Sequence, residues 1–152
     1  MEKQLRDALV KGALEARKRA YTPYSNYTVG AAVYAQHEEQ KGTEGNNDGV
    51  QAGEIFEGCN IENASFPVTM CAERCAIFTA VARGYRRITA IALTGGKEGK
   101  EADDFCAPCG MCLQVMTEFC SPDCPILVVK DETHVTELCL KDFLPHMFEL
   151  TK

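Results

Sequence analysis

Near the N-terminus Leu5, Ala8, Leu9, Ala13, Ala16 and Ala20 recur at three- and four-residue intervals with charged residues between them. That spacing predicts an amphipathic helix, which the Pro23 region halts. Tyr27, Val29, Ala31 and Val33 then alternate with small or polar residues, as a strand does, and Ile55 with Phe56 marks a second. The two predict a hairpin. Between them, from about 36 to 53, lies an acidic stretch rich in Gly, Asn and Gln with almost no apolar residues. It exceeds the roughly 12–15 residues at which structureless loops become unusual and reads as an insertion forming a mobile hairpin tip, with a functional lid as the second reading.

From 71 to about 83, Ala72, Cys75, Ala76, Thr79 and Ala82 fit one helix face, with Gly84 as a stop. Residues 88–93 read as a buried strand, and 109–119 as a helix through Cys112, Val115, Met116 and Phe119. Pro125–Val129 is a further apolar run of strand length, Val135 and Leu138 mark another strand, and 141–144 forms a short helix ending at Pro145. The order helix, two strands, helix, strand, helix, strand predicts an α/β fold in which helices sandwich a mixed sheet.

Composition narrows the function. A chain of 152 residues with 45% apolar and 25% charged residues has the make-up of one folded domain, spanning 1–152. Lys and Arg number 16 against 22 Asp and Glu, a formal charge of −6, which disfavours a nucleic-acid polymer as partner. No apolar run approaches the roughly 18 residues of a membrane span, and the charged N-terminus is unlike a secretory leader. A cytoplasmic protein is expected. Nine cysteines, an odd number, then point to thiols and metal ligands rather than a disulfide framework.

Two segments carry candidate chemistry: Cys71-Ala72-Glu73 at the start of one predicted helix, and Pro108-Cys109-Gly110-Met111-Cys112 at the start of another. A Cys at a helix N-terminus is biased towards the thiolate, and thiolates are good zinc ligands. Cys109 and Cys112 stand about one helical turn apart and can grip one ion. Three sulfurs leave a fourth tetrahedral position where water can bind and lose a proton near neutral pH. Glu73 then reads as the general acid/base, or else as an acidic residue favouring its helix dipole. Cys106, Cys109 and Cys112 also form a Cys-x-x-Cys-x-x-Cys run, but ferredoxin spacing needs a further Cys where Met116 stands. A structural zinc module, closed by Cys75 or Cys106, is the alternative. The remaining cysteines, Cys75, Cys106, Cys120, Cys124 and Cys139, read as buried small hydrophobes.

A His or Cys ligand followed by Glu, with a later Pro-Cys-x-x-Cys, is the signature of zinc deaminases. Cys71-Ala72-Glu73-Arg74 and Pro108-Cys109-Gly110-Met111-Cys112 resemble the motifs of the small three-cysteine cytidine deaminases. Tyr24-Ser25, Val29-Gly30-Ala31-Ala32, Gly58-Cys59-Asn60-Ile61-Glu62-Asn63-Ala64 and Leu144-Pro145 follow in that family's order. The resemblance implies a three-layer α-β-α sandwich with a mixed, mostly five-stranded sheet, one zinc ion per subunit, and a homotetramer with shared active sites. It implies that Cys71, Cys109 and Cys112 bind zinc, and that Glu73 protonates N3 of a pyrimidine nucleoside while hydroxide attacks C4 and ammonia leaves. Asn60 and Glu62 match residues that hold the ribose hydroxyl. Tyr27 stands where the family has a Phe packed by the base, Ala72 belongs to the same substrate pocket, and Phe148 matches an aromatic supplied across a subunit interface. Arg74 is left to donate hydrogen bonds to a zinc sulfur, because Leu113 stands where relatives usually carry a second Arg.

Overall fold

The computed structural model describes residues 1–37 and 53–148. The chain runs α1 (Lys3–Arg17), β1 (Tyr27–Gln36), β2 (Glu54–Cys59), α2 (Ala72–Ala82), β3 (Arg87–Lys97), α3 (Gly110–Phe119), β4 (Pro125–Val129), β5 (Val135–Cys139) and α4 (Leu140–Phe143). One 3-10 turn, Phe66–Val68, precedes α2 and was not foreseen from the sequence.

β1 lies between β2 and β3 and is antiparallel to both. β3 and β4 are parallel, joined through α3, and β5 returns antiparallel to β4, so the sheet reads β2-β1-β3-β4-β5. Strand side chains alternate between two faces. On one face Ala31, Val33, Ile91, Leu93 and Ile126 pack under Ala76, Ile77 and Ala80 of α2 and Leu113 and Met116 of α3. On the other, Ala32, Ala90, Ala92, Leu127 and Val129 pack under Leu9, Val10 and Ala13 of α1. The result is the expected three-layer arrangement around a five-stranded mixed sheet.

Some boundaries move. α1 ends at Arg17, short of Ala20. The chain leaves the helix there so that Tyr21 can pair with the stretch after β2: its N–H donates to the Asn60 carbonyl at 3.0 Å, and its carbonyl accepts from Glu62 N–H at 2.9 Å. β3 continues past 93 to Lys97, because Thr94, Gly95 and Gly96 keep register with Gly30, Val29 and Thr28 of β1. Backbone pairing carries a strand through glycines that offer no apolar pattern. The β1–β2 hairpin is present, but the tip expected within it lies largely outside the described residues.

The α2 N-terminus is seated against β2 backbone to backbone. A Cβ on Gly58 would stand 2.4 Å from the Ala72 carbonyl oxygen and 2.5 Å from Ala76 N, so only a glycine lets the strand and the helix approach this closely.

Candidate metal centre and active site

Cys71 is the N-cap residue of α2 and Cys109 that of α3, both with extended backbone. The two helix starts face one another on the same side of the sheet, and Cys112, one turn into α3, completes a cluster whose sulfurs all lie within 4.8 Å. Cys71 Sγ is 3.7 Å from Cys109 Sγ, and Cys109 Sγ is 3.5 Å from Cys112 Sγ. A tetrahedral ion with metal–sulfur bonds of about 2.3 Å sets its sulfurs about 3.8 Å apart. The donor set therefore fits one zinc ion. Among the described residues neither Cys75 nor Cys106 joins the group, so the cluster offers three ligands and the closed module expected as the alternative is not assembled. The same finding separates Cys106 from the pair that follows it in sequence.

The thiols interact strongly. Hydrogen bonding to Cys112 leads the effects that hold the Cys71 thiol well below its ordinary range, with Arg74 and Cys109 adding to it. The same bond, with burial, drives Cys112 up. A divalent ion binding there would take the place of the proton that the pair shares. Arg74 supplies the positive charge: its Nη2 donates to Cys71 Sγ at 3.5 Å and to the Thr69 carbonyl at 3.3 Å. Leu113 is only 9% exposed and belongs to the core under α3. That position is filled by packing, which leaves Arg74 as the cationic group on the sulfurs.

Glu73 lies one residue inside α2 from Ala72 and is 3% exposed. Burial, reinforced by the Cys71 charge, pushes its carboxyl up to about 7. A carboxyl poised there can both take up and release a proton at neutral pH. Ala72 itself is fully buried.

The other expected site residues converge on the start of β1. Asn60 Oδ1 accepts from Val29 N–H at 2.8 Å, and its Nδ2 donates to the Tyr27 carbonyl at 2.9 Å. Glu62 Oε2 accepts from the N–H groups of Tyr24 at 2.9 Å and Ser25 at 3.2 Å, while Ser25 Oγ donates to Oε1. The Ser25 hydroxyl leads the effects that hold the Glu62 carboxyl below its ordinary range. Both side chains thus shape the backbone that presents Tyr27, and each keeps unused capacity: one N–H on Asn60 and lone pairs on Glu62. Phe148 is 65% exposed and meets its own chain through its carbonyl, which accepts from Gln114 Nε2 at 3.2 Å. Tyr27 donates its phenol hydrogen to Asp103 Oδ2 at 2.7 Å, a partner that nothing in the sequence singled out.

Of the cysteines expected to be buried, Cys106 and Cys124 are, whereas Cys75, Cys120 and Cys139 are only partly so. These three lie at or near helix ends, where one flank of the side chain stays open. On the opposite side of the sheet, Lys11, Arg17, Lys18, Thr28, Glu98 and Lys100 line a cavity of about 620 Å³. Its main polar groups are already engaged, Arg17 with Thr28 and two backbone carbonyls and Lys18 with Glu15.

Comparison with known proteins agrees with this geometry. Residues 3–128 match the family described as the cytidine and deoxycytidylate deaminase zinc-binding region. A cytidine deaminase of Sporosarcina psychrophila is 35% identical over 142 residues, covering 93% of this chain and 90% of that protein. One from Halalkalibacterium halodurans is 35% identical over 143 residues, covering 94% and 93%. The crystal structure of cytidine deaminase from Burkholderia pseudomallei superposes with a TM-score of 0.73 at 39% identity, covering 97% of this chain and all of that one. With three thiols at zinc spacing and a buried carboxyl beside them, the chain belongs to the cytidine and deoxycytidylate deaminase family.

Proposed function

We propose that the chain is a single zinc-dependent deaminase domain, residues 1–152, that hydrolyses cytidine and 2′-deoxycytidine to uridine and 2′-deoxyuridine with release of ammonia. The observation that carries this reading is the buried Glu73 carboxyl beside the open three-cysteine cluster. Cys71, Cys109 and Cys112 hold one zinc per subunit, and Arg74 offsets their charge. Zinc so held is a Lewis acid that brings the pKa of water towards neutrality. Glu73 takes a proton from water and delivers it to N3 of the pyrimidine. Once the hydroxyl has added at C4, Glu73 takes its proton and passes it to the amino group, so that ammonia leaves as the C4–N bond breaks and the C4=O bond forms. One residue of one helix serves both transfers.

Asn60 and Glu62 offer their remaining N–H and lone pairs to the ribose hydroxyl, and Tyr27 and Ala72 flank the base. Phe148, exposed on its own chain, closes the site of a neighbouring subunit in a homotetramer. Exposed Phe66, Val68 and Met111 in the segments flanking the cluster's ligands support an assembled state. The substrate is a free nucleoside, as the formal charge of −6 suits no nucleic-acid polymer. Among the described residues no helix is long and apolar enough to cross a membrane. A cytoplasmic enzyme of pyrimidine salvage fits these properties.

The test is ultraviolet absorbance of cytidine mixed with the parent protein or with Glu73→Gln, each with its zinc content measured. Loss of the cytosine spectrum with the parent alone is expected, with zinc retained in both. A zinc-loaded parent that leaves cytidine unchanged would overturn the assignment. Blasticidin S, the substrate in the name of a Bacillus cereus relative matched over 51% of the chain, serves as the second substrate arm.

A further inference from the structure

The connection between β3 and α3, residues 98–109, brings Cys109 and Cys112 to the metal cluster without regular secondary structure. Its first part is well tied. Glu98 N–H donates to the Asn26 carbonyl at 2.8 Å, Arg17 Nη2 donates to the Lys100 carbonyl at 3.1 Å, and Asp103 N–H donates to the Gly95 carbonyl at 2.8 Å. From 105 to 108 the tether is burial, of Cys106 and Pro108. Two further contacts follow Asp103 and Asp104: Phe105 stacks on Phe143 at 6.2 Å between ring centroids, and the Cys106 thiol hydrogen-bonds with the Tyr27 phenol. Asp104 pairs with Lys130 at 2.6 Å but is 86% exposed, and such pairs hold little.

Asp103 is exposed too, but it is held by its backbone as well as by its side chain. The Tyr27 phenol reaches it from β1 on the face of the sheet that carries α2 and α3, crossing above Gly95. A Cβ added at Gly95 would stand 2.6 Å from Cys106 Sγ and 3.2 Å from Tyr27 Oη, so the glycine keeps open the space in which phenol and thiol meet. Asp103 thus joins β3 through its backbone and β1 through its side chain, three residues before buried Cys106 and six before Cys109. We infer that Asp103 is a positioning residue: by accepting the Tyr27 hydroxyl hydrogen it fixes the connection that delivers Cys109 and Cys112 to Cys71. The inference rests on reading those three cysteines as a zinc site. It adds a second duty to Tyr27, whose ring position and hydroxyl act on different parts of the site.

The experiment follows zinc release from the loaded, full-length protein into excess chromophoric chelator, with no substrate present. Asp103→Ala and Tyr27→Phe should each release zinc about tenfold faster, the scale of an outlying partner of a metal ligand. The double variant should be no faster than Tyr27→Phe, which already removes the Asp103 bond together with the phenol's contact with Cys106. Asp103→Asn, which keeps an acceptor oxygen, should release at close to the parent rate. Unchanged release in Asp103→Ala, or effects that multiply in the double variant, would overturn the inference. If circular dichroism shows Asp103→Ala unfolded, the near-isosteric Tyr27→Phe and Asp103→Asn decide between the same outcomes. Release rates are read without turnover, so a parent that holds zinc yet leaves cytidine intact would sink the proposed function alone.

Discussion

Arg74 contacts the sulfur of Cys71 and the carbonyl of Thr69 with the same nitrogen, so it orients a ligand and offsets its charge at once. Among the described residues its Nε is buried without a hydrogen-bond partner. Arg74→Ala should weaken zinc binding about 10- to 100-fold, as loss of a ligand's hydrogen-bond partner generally does. Competition with a chelator of known affinity measures it, and an unchanged affinity would show that the thiols alone set the binding. The sequence made Arg74, Glu73 and the three ligands legible because each falls within three residues of another, at helix starts. Tyr27 and Asp103 stand 76 residues apart, and no periodicity or spacing rule links residues so distant in the chain. The bonds of Asn60 to the backbone of β1, and of Glu62 to Tyr24 and Ser25 just before it, were not legible, because they join residues more than thirty apart in the chain.

At the scale of elements, the three candidate ligands are only as fixed as the helices that begin with them. α2 is fixed by its contact with Gly58, where strand and helix backbones meet. Gly58→Ala should destabilise the protein by about 1–3 kcal/mol through overpacking, since backbone atoms cannot rotate away. Thermal unfolding would register that loss, and faster zinc release would show that α2 had been pushed from its seat. A Tm equal to the parent's would mean that the helix shifts freely. Helix and strand order followed from apolar spacing because α1 and α2 each turn a consistent face to the core, while β4 is buried on both faces and reads as a continuous apolar run. β3 outran its pattern at Gly95 and Gly96, where pairing to β1 replaces side-chain burial. α1 fell short of its pattern because Tyr21 gains more from pairing with 60–62 than from another helical turn.

For the molecule as a whole, the exposed Cys109 and the exposed Phe148 belong together if subunits share sites. Truncation before Phe148 should then raise KM for cytidine several-fold while zinc content stays at the parent's level. An unaltered KM would place Phe148 outside any active site, and native mass measured on the same samples would report the assembly. The opposite end of the molecule has a different character. β1 and β2 stay in register up to Ala35 opposite Glu54, and Tyr34 Oη accepts a hydrogen bond from Gly53 N–H at 3.0 Å, closing the ladder. Seven residues along β1, about 23 Å of strand, separate Tyr34 from Tyr27. The closure makes residues 38–52 a graft point. An epitope, a fluorescent domain or a surface tether spliced there would be carried by the hairpin's own clasp, at the far end of β1 from Tyr27.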